Sequence, residues 1–213
     1  MYDEMNRKIE ALKVVPVVKL DREQDALPLG EALCAGGLPA AEITFRTDAA
    51  EGSIRAMARR FPEMAVGAGT VTTVEQAKRA VDAGASFLVS PGVNMPVVEY
   101  CVENKVPIYP GTCTPSEIMS VLGLGIEVVK FFPCAQYGGL KTIKALAPVF
   151  PGLRFMPTGG INIDNLAEFL AYDRIIACGG SWMVSAKLIN AGQFDEITRL
   201  SAQAVAAAAP YVK

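Results

Sequence analysis

Lys130 is an amine set in apolar sequence, with Val128 and Val129 before it, Phe131 and Phe132 after it, and Pro133 closing the run. Burying an ammonium is costly, so a lysine placed there is either paired with a carboxylate or kept available as the uncharged amine that attacks carbonyl carbon. A second constellation lies a third of the way along the chain. Side chains in extended backbone alternate between faces, so Glu42, Thr44 and Arg46 share one face of their segment while Ala41, Ile43 and Phe45 share the other. Lys130 alternates away from Val129 and Phe131 in the same way. If both apolar faces meet helices, a lysine and a glutamate turn toward one interior. They are then either a nucleophile with its proton shuttle or an ion-pair layer inside a core.

The 213-residue chain contains no histidine. That removes Ser-His and Cys-His dyads, His-ligated zinc and any imidazole base, and leaves carboxylates, lysines and hydroxyls to do chemistry. Five cysteines (Cys34, Cys101, Cys113, Cys134, Cys178) are scattered singly, and an odd set without close pairs is expected to be reduced thiols. The expected chemistry is free of metal and cofactor.

Such groups need a frame to hold them. Short β-type runs fall at 14–20, 40–45, 65–70, 87–90, 106–109, 128–132, 154–158 and 175–178, and stretches of helical period at 22–35, 49–60, 74–83, 96–104, 115–122, 140–147 and 164–171. Alternation of this kind predicts an α/β protein with a parallel sheet, and eight units predict a (β/α)8 (TIM) barrel, with a doubly wound open sheet as the alternative. No linker or charge block interrupts the pattern, so one domain over residues 1–213 is expected. In a barrel, functional groups gather at the C-terminal ends of strands. There the sequence places Gly67, Gly69 and Thr70; Ser90, Pro91 and Gly92; Pro110, Gly111 and Thr112; Pro157, Thr158, Gly159 and Gly160; Gly179, Gly180 and Ser181. The last two clusters follow the seventh and eighth strands, where backbone N–H groups and a short helix N-terminus can hold a phosphate and Ser181 can add a hydroxyl.

A composition of 51% hydrophobic and 20% charged residues suits a globular chain. The net charge of -2 and a pI near 5.3, without a basic cluster interleaved with aromatics, exclude nucleic acid as an expected partner. No apolar run reaches membrane-spanning length, while the positive mean hydropathy of +0.29 predicts apolar surface covered by further copies, hence a homo-oligomer. Residues 1–12 read as a short amphipathic N-terminal helix with Met5, Ile9 and Leu12 on one side, unlike a secretory signal, so a cytoplasmic protein is expected.

Five segments occur in order along nearly the whole chain: Glu42-Ile43-Thr44-Phe45-Arg46-Thr47, Gly67-Ala68-Gly69-Thr70, Val129-Lys130-Phe131-Phe132-Pro133, Pro157-Thr158-Gly159-Gly160-Ile161 and Gly179-Gly180-Ser181-Trp182. In these the sequence resembles the class I family of 2-keto-3-deoxy-6-phosphogluconate (KDPG) and 4-hydroxy-2-oxoglutarate (KHG) aldolases. The resemblance implies a homotrimer of (β/α)8 subunits acting on a small phosphorylated keto acid. It implies reversible cleavage of 2-dehydro-3-deoxy-6-phospho-D-gluconate to pyruvate and D-glyceraldehyde 3-phosphate, with cleavage of 4-hydroxy-2-oxoglutarate to pyruvate and glyoxylate as a further activity. It makes Lys130 the Schiff-base lysine and Glu42 the proton carrier, acting through a water. Arg46 and Thr70 would hold the pyruvate carboxylate, Pro91 and Phe132 would wall its methyl group, and the Thr158-Gly159-Gly160 loop with Gly180 and Ser181 would bind the distal end of the substrate. Residues 133–137 and the pair Thr112-Cys113 depart from the family pattern, at positions that bear on substrate discrimination. Two other readings use the same elements: a phosphosugar isomerase or synthase with Lys130 as an acid or electrostatic group, and a non-catalytic phosphosugar-binding protein.

Overall fold

Apolar residues alternating along short strands and recurring every third or fourth position along helices dictate a layered α/β protein, and the computed structural model has that form. It describes residues 2–212; Met1, the first residue of the expected N-terminal helix, lies outside them. The strands are β1 (Val14–Val18), β2 (Ala40–Thr44), β3 (Ala65–Gly69), β4 (Phe87–Val89), β5 (Ile108–Tyr109), β6 (Gly111–Thr112), β7 (Val128–Phe131), β8 (Arg154–Pro157) and β9 (Cys178–Gly180). Every ladder is parallel. Six strands form an open sheet in the order β5-β4-β3-β2-β1-β9, and three form a second in the order β6-β7-β8. Isolated bridges, Phe155 to Ile175 and Thr158 to Gly179, link the second sheet toward β9.

Three strand expectations are corrected. The fifth strand is two pieces, because Pro110 has no N–H to give a ladder; its carbonyl instead accepts the Lys130 N–H at 3.0 Å. The last strand lies at Cys178–Gly180, later than the apolar run Ile175-Ile176-Ala177, because the register against Val14, Val15 and Pro16 selects it. Apolar character marked the wrong end of that segment. β1 is also shorter than expected and stops at Val18, whose carbonyl accepts the Thr44 hydroxyl at 2.8 Å.

The helices are α1 (Asp3–Leu12), α2 (Ala26–Ala35), α3 (Ala49–Arg60), α4 (Val74–Asp82), α5 (Met95–Glu103), α6 (Pro115–Leu122), α7 (Gly139–Leu146), α8 (Leu166–Leu170), α9 (Ala186–Asn190) and α10 (Phe194–Ala208). Sequence sets where several begin. The Thr73 and Asn94 side chains accept the N–H groups of Gln76 and Val97, and Thr114 with Glu117 forms a reciprocal capping box with Pro115 in the first turn. The expected helix at 22–35 begins instead with a 3-10 turn, Glu23–Asp25. α9 and α10 were not expected. The inward face of α10 is Ile197, Ser201, Ala204 and Ala208, too weak in apolar contrast to stand out, yet it fits closely on α2. A methyl group on Gly36 would sit 2.6 Å from the Ser201 Cβ.

Helix faces such as Leu29, Leu33, Ile54, Met57 and Val98 pack on the outward strand residues Ile43, Ala68 and Leu88. A second apolar cluster lies inside, among Val15, Ala40, Ala65, Phe87, Tyr109, Val128 and Met156, near the starts of their strands. α1 covers that end, with Ile9 fully buried in it and Met5 and Leu12 packed against it. The Tyr109 ring meets the Phe87 ring edge-on, and its hydroxyl donates to Asn6 Oδ1 at 3.0 Å. Tyr109→Phe takes the donor from this buried amide oxygen, and is expected to lower the unfolding free energy by about 1–3 kcal/mol in urea titration.

Candidate active site

With the strand starts filled by apolar side chains, the polar inward residues are left at the strand ends. Glu42 pairs in register with Val17 on one side and Gly67 on the other, and Lys130 pairs with Gly111 and Met156. These registers bring Lys130 Nζ to 3.3 Å from Glu42 Oε1, with Glu42 at 0% and Lys130 at 5% exposure. The structure therefore contains the pair that the sequence left open, but a pair half satisfied: Glu42 Oε2 is buried with no hydrogen-bond partner. Nζ also stands 5.0 Å from the centre of the Phe132 ring, over its electron-rich face. Gly69 makes room for the carboxylate, since a methyl group there would lie 2.3 Å from Oε1. Gly111 does the same for the opposite wall, where the Pro91 carbonyl group would sit 2.4 Å from an added methyl.

At the end of β2 the Arg46 N–H bonds the Thr44 carbonyl at 2.8 Å, turning the chain back, and Arg46 Nε donates to Thr44 Oγ1 at 3.0 Å. Among the described residues no carboxylate pairs with Arg46. Thr70 follows Gly69 with φ of 58°, a left-handed conformation uncommon for a branched residue and found where surrounding structure enforces it.

The glycine-rich loop after β8 is bonded away from the interior. Thr158 O accepts from Cys134 N at 2.8 Å, Gly159 O from Ala135 N at 3.1 Å, and Gly160 O from Asn165 Nδ2 at 2.9 Å. Gly159 and Gly160 have φ of 96° and 83°, which glycine adopts at little cost. A loop whose carbonyls are engaged elsewhere is suited to present N–H groups to an anion. After β9, Ser181 leads only into the 3-10 turn Trp182–Val184, where a short helix was expected.

These parts enclose one cavity of about 310 Å³. Lys130, Glu42, Arg46, Thr70, Pro91 and Phe132 line it at one side, and Thr158, Gly159, Gly160, Gly180 and Ser181 complete it. All eleven expected site residues are thus together. Val17, Thr44, Ile161 and Gly179 line it as well and were not singled out as site residues. Alternation from Val15 would have placed Val17 inward; nothing in the residue type of Ile161 marks it. Two cations against one carboxylate make the lining attractive to anions. Burial pushes the thiols of Cys101 and Cys134 up to about 12 and that of Cys178 higher still, so they stay protonated near neutral pH. Among the described residues no group of three or more His, Cys, Asp or Glu side chains is placed to hold a metal.

The cavity thus combines a buried lysine against a glutamate, an arginine without a carboxylate partner among the described residues and glycine-rich loops at the ends of parallel strands. The family model for KDPG and KHG aldolase matches residues 5–200, and the chain belongs to that family; it is an aldolase, a lyase. A 2-dehydro-3-deoxy-phosphogluconate aldolase of Treponema pallidum (strain Nichols) is 50% identical over 195 residues, 92% of this chain and 93% of that protein. The crystal structure of the KDPG aldolase of Legionella pneumophila, with pyruvate captured as a covalent carbinolamine, matches with a TM-score of 0.89 and 39% identity, over 92% of this chain and 96% of that one. The KDPG aldolase of Zymomonas mobilis ZM4 with 3-phosphoglycerate matches with a TM-score of 0.89 and 37% identity, over 97% and 96%.

Removing one partner of a desolvated pair strands the other charge. Lys130→Met is expected to destabilise the fold by about 3–5 kcal/mol in denaturant titration, and the double variant with Glu42→Gln by clearly less than the sum of the two single changes.

Proposed function

We propose that Lys130 forms the Schiff base in the reversible cleavage of 2-dehydro-3-deoxy-6-phosphogluconate to pyruvate and glyceraldehyde 3-phosphate, with Glu42 carrying the protons. The reading rests on one observation above all, the 3.3 Å contact of a buried amine with a carboxylate whose second oxygen has no partner. Only an uncharged amine adds to a ketone, and the contact gives the departing ammonium proton an acceptor. Nζ adds to C2 of the substrate, and the carbinolamine loses water to give an imine. The imine withdraws the electrons of the C3–C4 bond while Glu42 takes the proton of the C4 hydroxyl, so that the aldehyde leaves and a neutral enamine remains. Glu42 then returns a proton to C3, and water releases pyruvate and the free lysine. An imine makes this electron sink without a metal ion.

Arg46 and Thr70 hold the carboxylate next to the ketone, and Pro91 and Phe132 enclose the methyl end of the pyruvyl unit. Thr158, Gly159, Gly160, Gly180 and Ser181 take the phosphate, a role supported by the outward-bonded carbonyls of the loop after β8. Cleavage of 4-hydroxy-2-oxoglutarate to pyruvate and glyoxylate uses the same lysine and leaves the phosphate end unfilled.

The two sheets complete a (β/α)8 barrel in a single domain, 1–213. Support comes from the continuity of β5 and β6 through Pro110 and from the bridge of Thr158 to Gly179. Exposed Met119, Tyr137 and Val149, at 66%, 49% and 66%, support a homotrimer that covers them. No helix among the described residues is long and apolar enough to cross a membrane. Five unpaired thiols favour a reducing cytoplasm.

Borohydride added with pyruvate is expected to fix an adduct on Lys130; an isomerase or a silent binding protein gives none, and full turnover by Lys130→Ala excludes the imine. Glu42→Gln should slow turnover by about 10²–10⁴-fold while weakening pyruvate binding far less; equal losses would contradict proton transfer. Ser181→Ala should raise KM for the phosphorylated substrate about tenfold and spare 4-hydroxy-2-oxoglutarate, whereas equal losses on both substrates would misplace the phosphate.

A further inference from the structure

Thr44 lies between Glu42 and Arg46 on the inward face of β2 and is 1% exposed. A β-branched apolar residue would suit that strand position as well, and a buried hydroxyl is costly unless both its proton and its lone pairs are used. Here they are used in one sense only. Arg46 Nε can donate and cannot accept, so at 3.0 Å the Thr44 oxygen must be the acceptor. The hydroxyl proton therefore goes to the Val18 carbonyl, 2.8 Å away. The chain Arg46 Nε–H to Thr44 Oγ–H to Val18 C=O has no alternative direction. A neighbouring tether, the Thr47 hydroxyl to the Leu20 carbonyl, holds the same two strand exits together.

The consequence lies in the guanidinium. Its fork offers a carboxylate two bidentate edges: Nε with one Nη, or the two Nη nitrogens end-on. Thr44 occupies Nε, which closes the first edge and leaves the second. Arg46 is otherwise exposed and has no carboxylate partner among the described residues, so the bond to Thr44 is its recorded side-chain anchor. We propose that Thr44 is the positioning residue of the site: by taking Nε–H it presents the two Nη groups of Arg46 to the carboxylate of a 2-oxo acid, and so sets the ketone against Lys130. This deepens the aldolase reading and rests on it. Thr44 touches no reacting atom in this role and acts only through Arg46.

The test compares Thr44→Val, which keeps shape and loses the hydroxyl, with Thr44→Ser, which keeps the hydroxyl, using pyruvate and its methyl ester as probes in borohydride trapping. Thr44→Val is expected to raise the half-saturating pyruvate concentration about tenfold and to leave that of methyl pyruvate, which lacks the charge, within about twofold. Thr44→Ser should stay within about twofold of the parent for both. In turnover, KM of the phosphorylated substrate should rise in Thr44→Val with kcat little changed. Unchanged pyruvate trapping in Thr44→Val, equal weakening of acid and ester, or a serine variant as poor as the valine one would each overturn the assignment. Thr44→Ala takes the place of valine if the latter does not fold. A parent enzyme that forms no adduct would overturn the Schiff-base reading instead, and calorimetric pyruvate affinities of parent and Thr44→Val then decide the Thr44 assignment separately.

Discussion

An ammonium and a carboxylate removed from water lose several kcal/mol of hydration each, and a bond between them repays this only when their remaining donors and acceptors are also satisfied. The contact of Lys130 with Glu42 does not meet that condition, because one carboxylate oxygen has no partner. Much of the surrounding structure is explained by the need to hold this pair where it is. Gly69 yields the space for the carboxylate, Gly111 lets the Pro91 backbone close in beside the lysine strand, and the Phe132 ring lies under the ammonium. A core built for stability alone would place two aliphatic side chains at these positions. The stability has to come from elsewhere, and it comes from the opposite end of the same strands.

That division runs along each strand. Near the strand starts the inward residues are Val15, Ala40, Ala65, Phe87 and Val128, sealed by Ile9 of α1 and by the buried hydrogen bond of Tyr109 to Asn6. Two residues further on, β2 carries Glu42 where Ala40 stood, and β7 carries Lys130 where Val128 stood. A shift of two residues keeps a side chain on the same face and moves it about 7 Å along the strand. One alternating pattern thus yields a dry, well-packed floor and a charged cavity above it, and changes to the cavity lining need not disturb the floor.

Legibility in the sequence followed contrast. Lysine in an apolar run, and three polar residues alternating with Ala41, Ile43 and Phe45, stand out because burying them has a cost that demands a reason; glycine at strand ends stands out because few other residues allow such close approaches. These signals located the cavity lining. Where contrast was weak the reading failed. α10 shows the core a face of serine and alanine, β9 contains two glycines in place of apolar residues, and Val17 lines the cavity with an ordinary side chain. The break at Pro110 was visible as a turn residue, but not as an interruption within one crossing of the sheet. The role proposed for Thr44 was hidden for another reason: alternation placed its hydroxyl inward, yet the proposal rests on the direction of its hydrogen bonds, which the sequence does not give.

The distance between the two ends of the cavity is set by backbone. The residue after Lys130, Phe131, accepts the Thr158 N–H through its carbonyl at 3.0 Å, and the same segment returns at Cys134 and Ala135 to bond the Thr158 and Gly159 carbonyls. The chain that carries the lysine therefore holds the glycine-rich loop directly, through three hydrogen bonds that depend on no particular side chain. On the proposed mechanism, a substrate bound covalently at the lysine meets a loop whose position is fixed relative to that bond. Molecules too short to reach the loop lose its interactions, and those too long must bend or displace it. On that mechanism, selection by length in this aldolase follows from main-chain geometry, while the proposed role of Arg46 and Thr44 assigns them selection by charge and orientation.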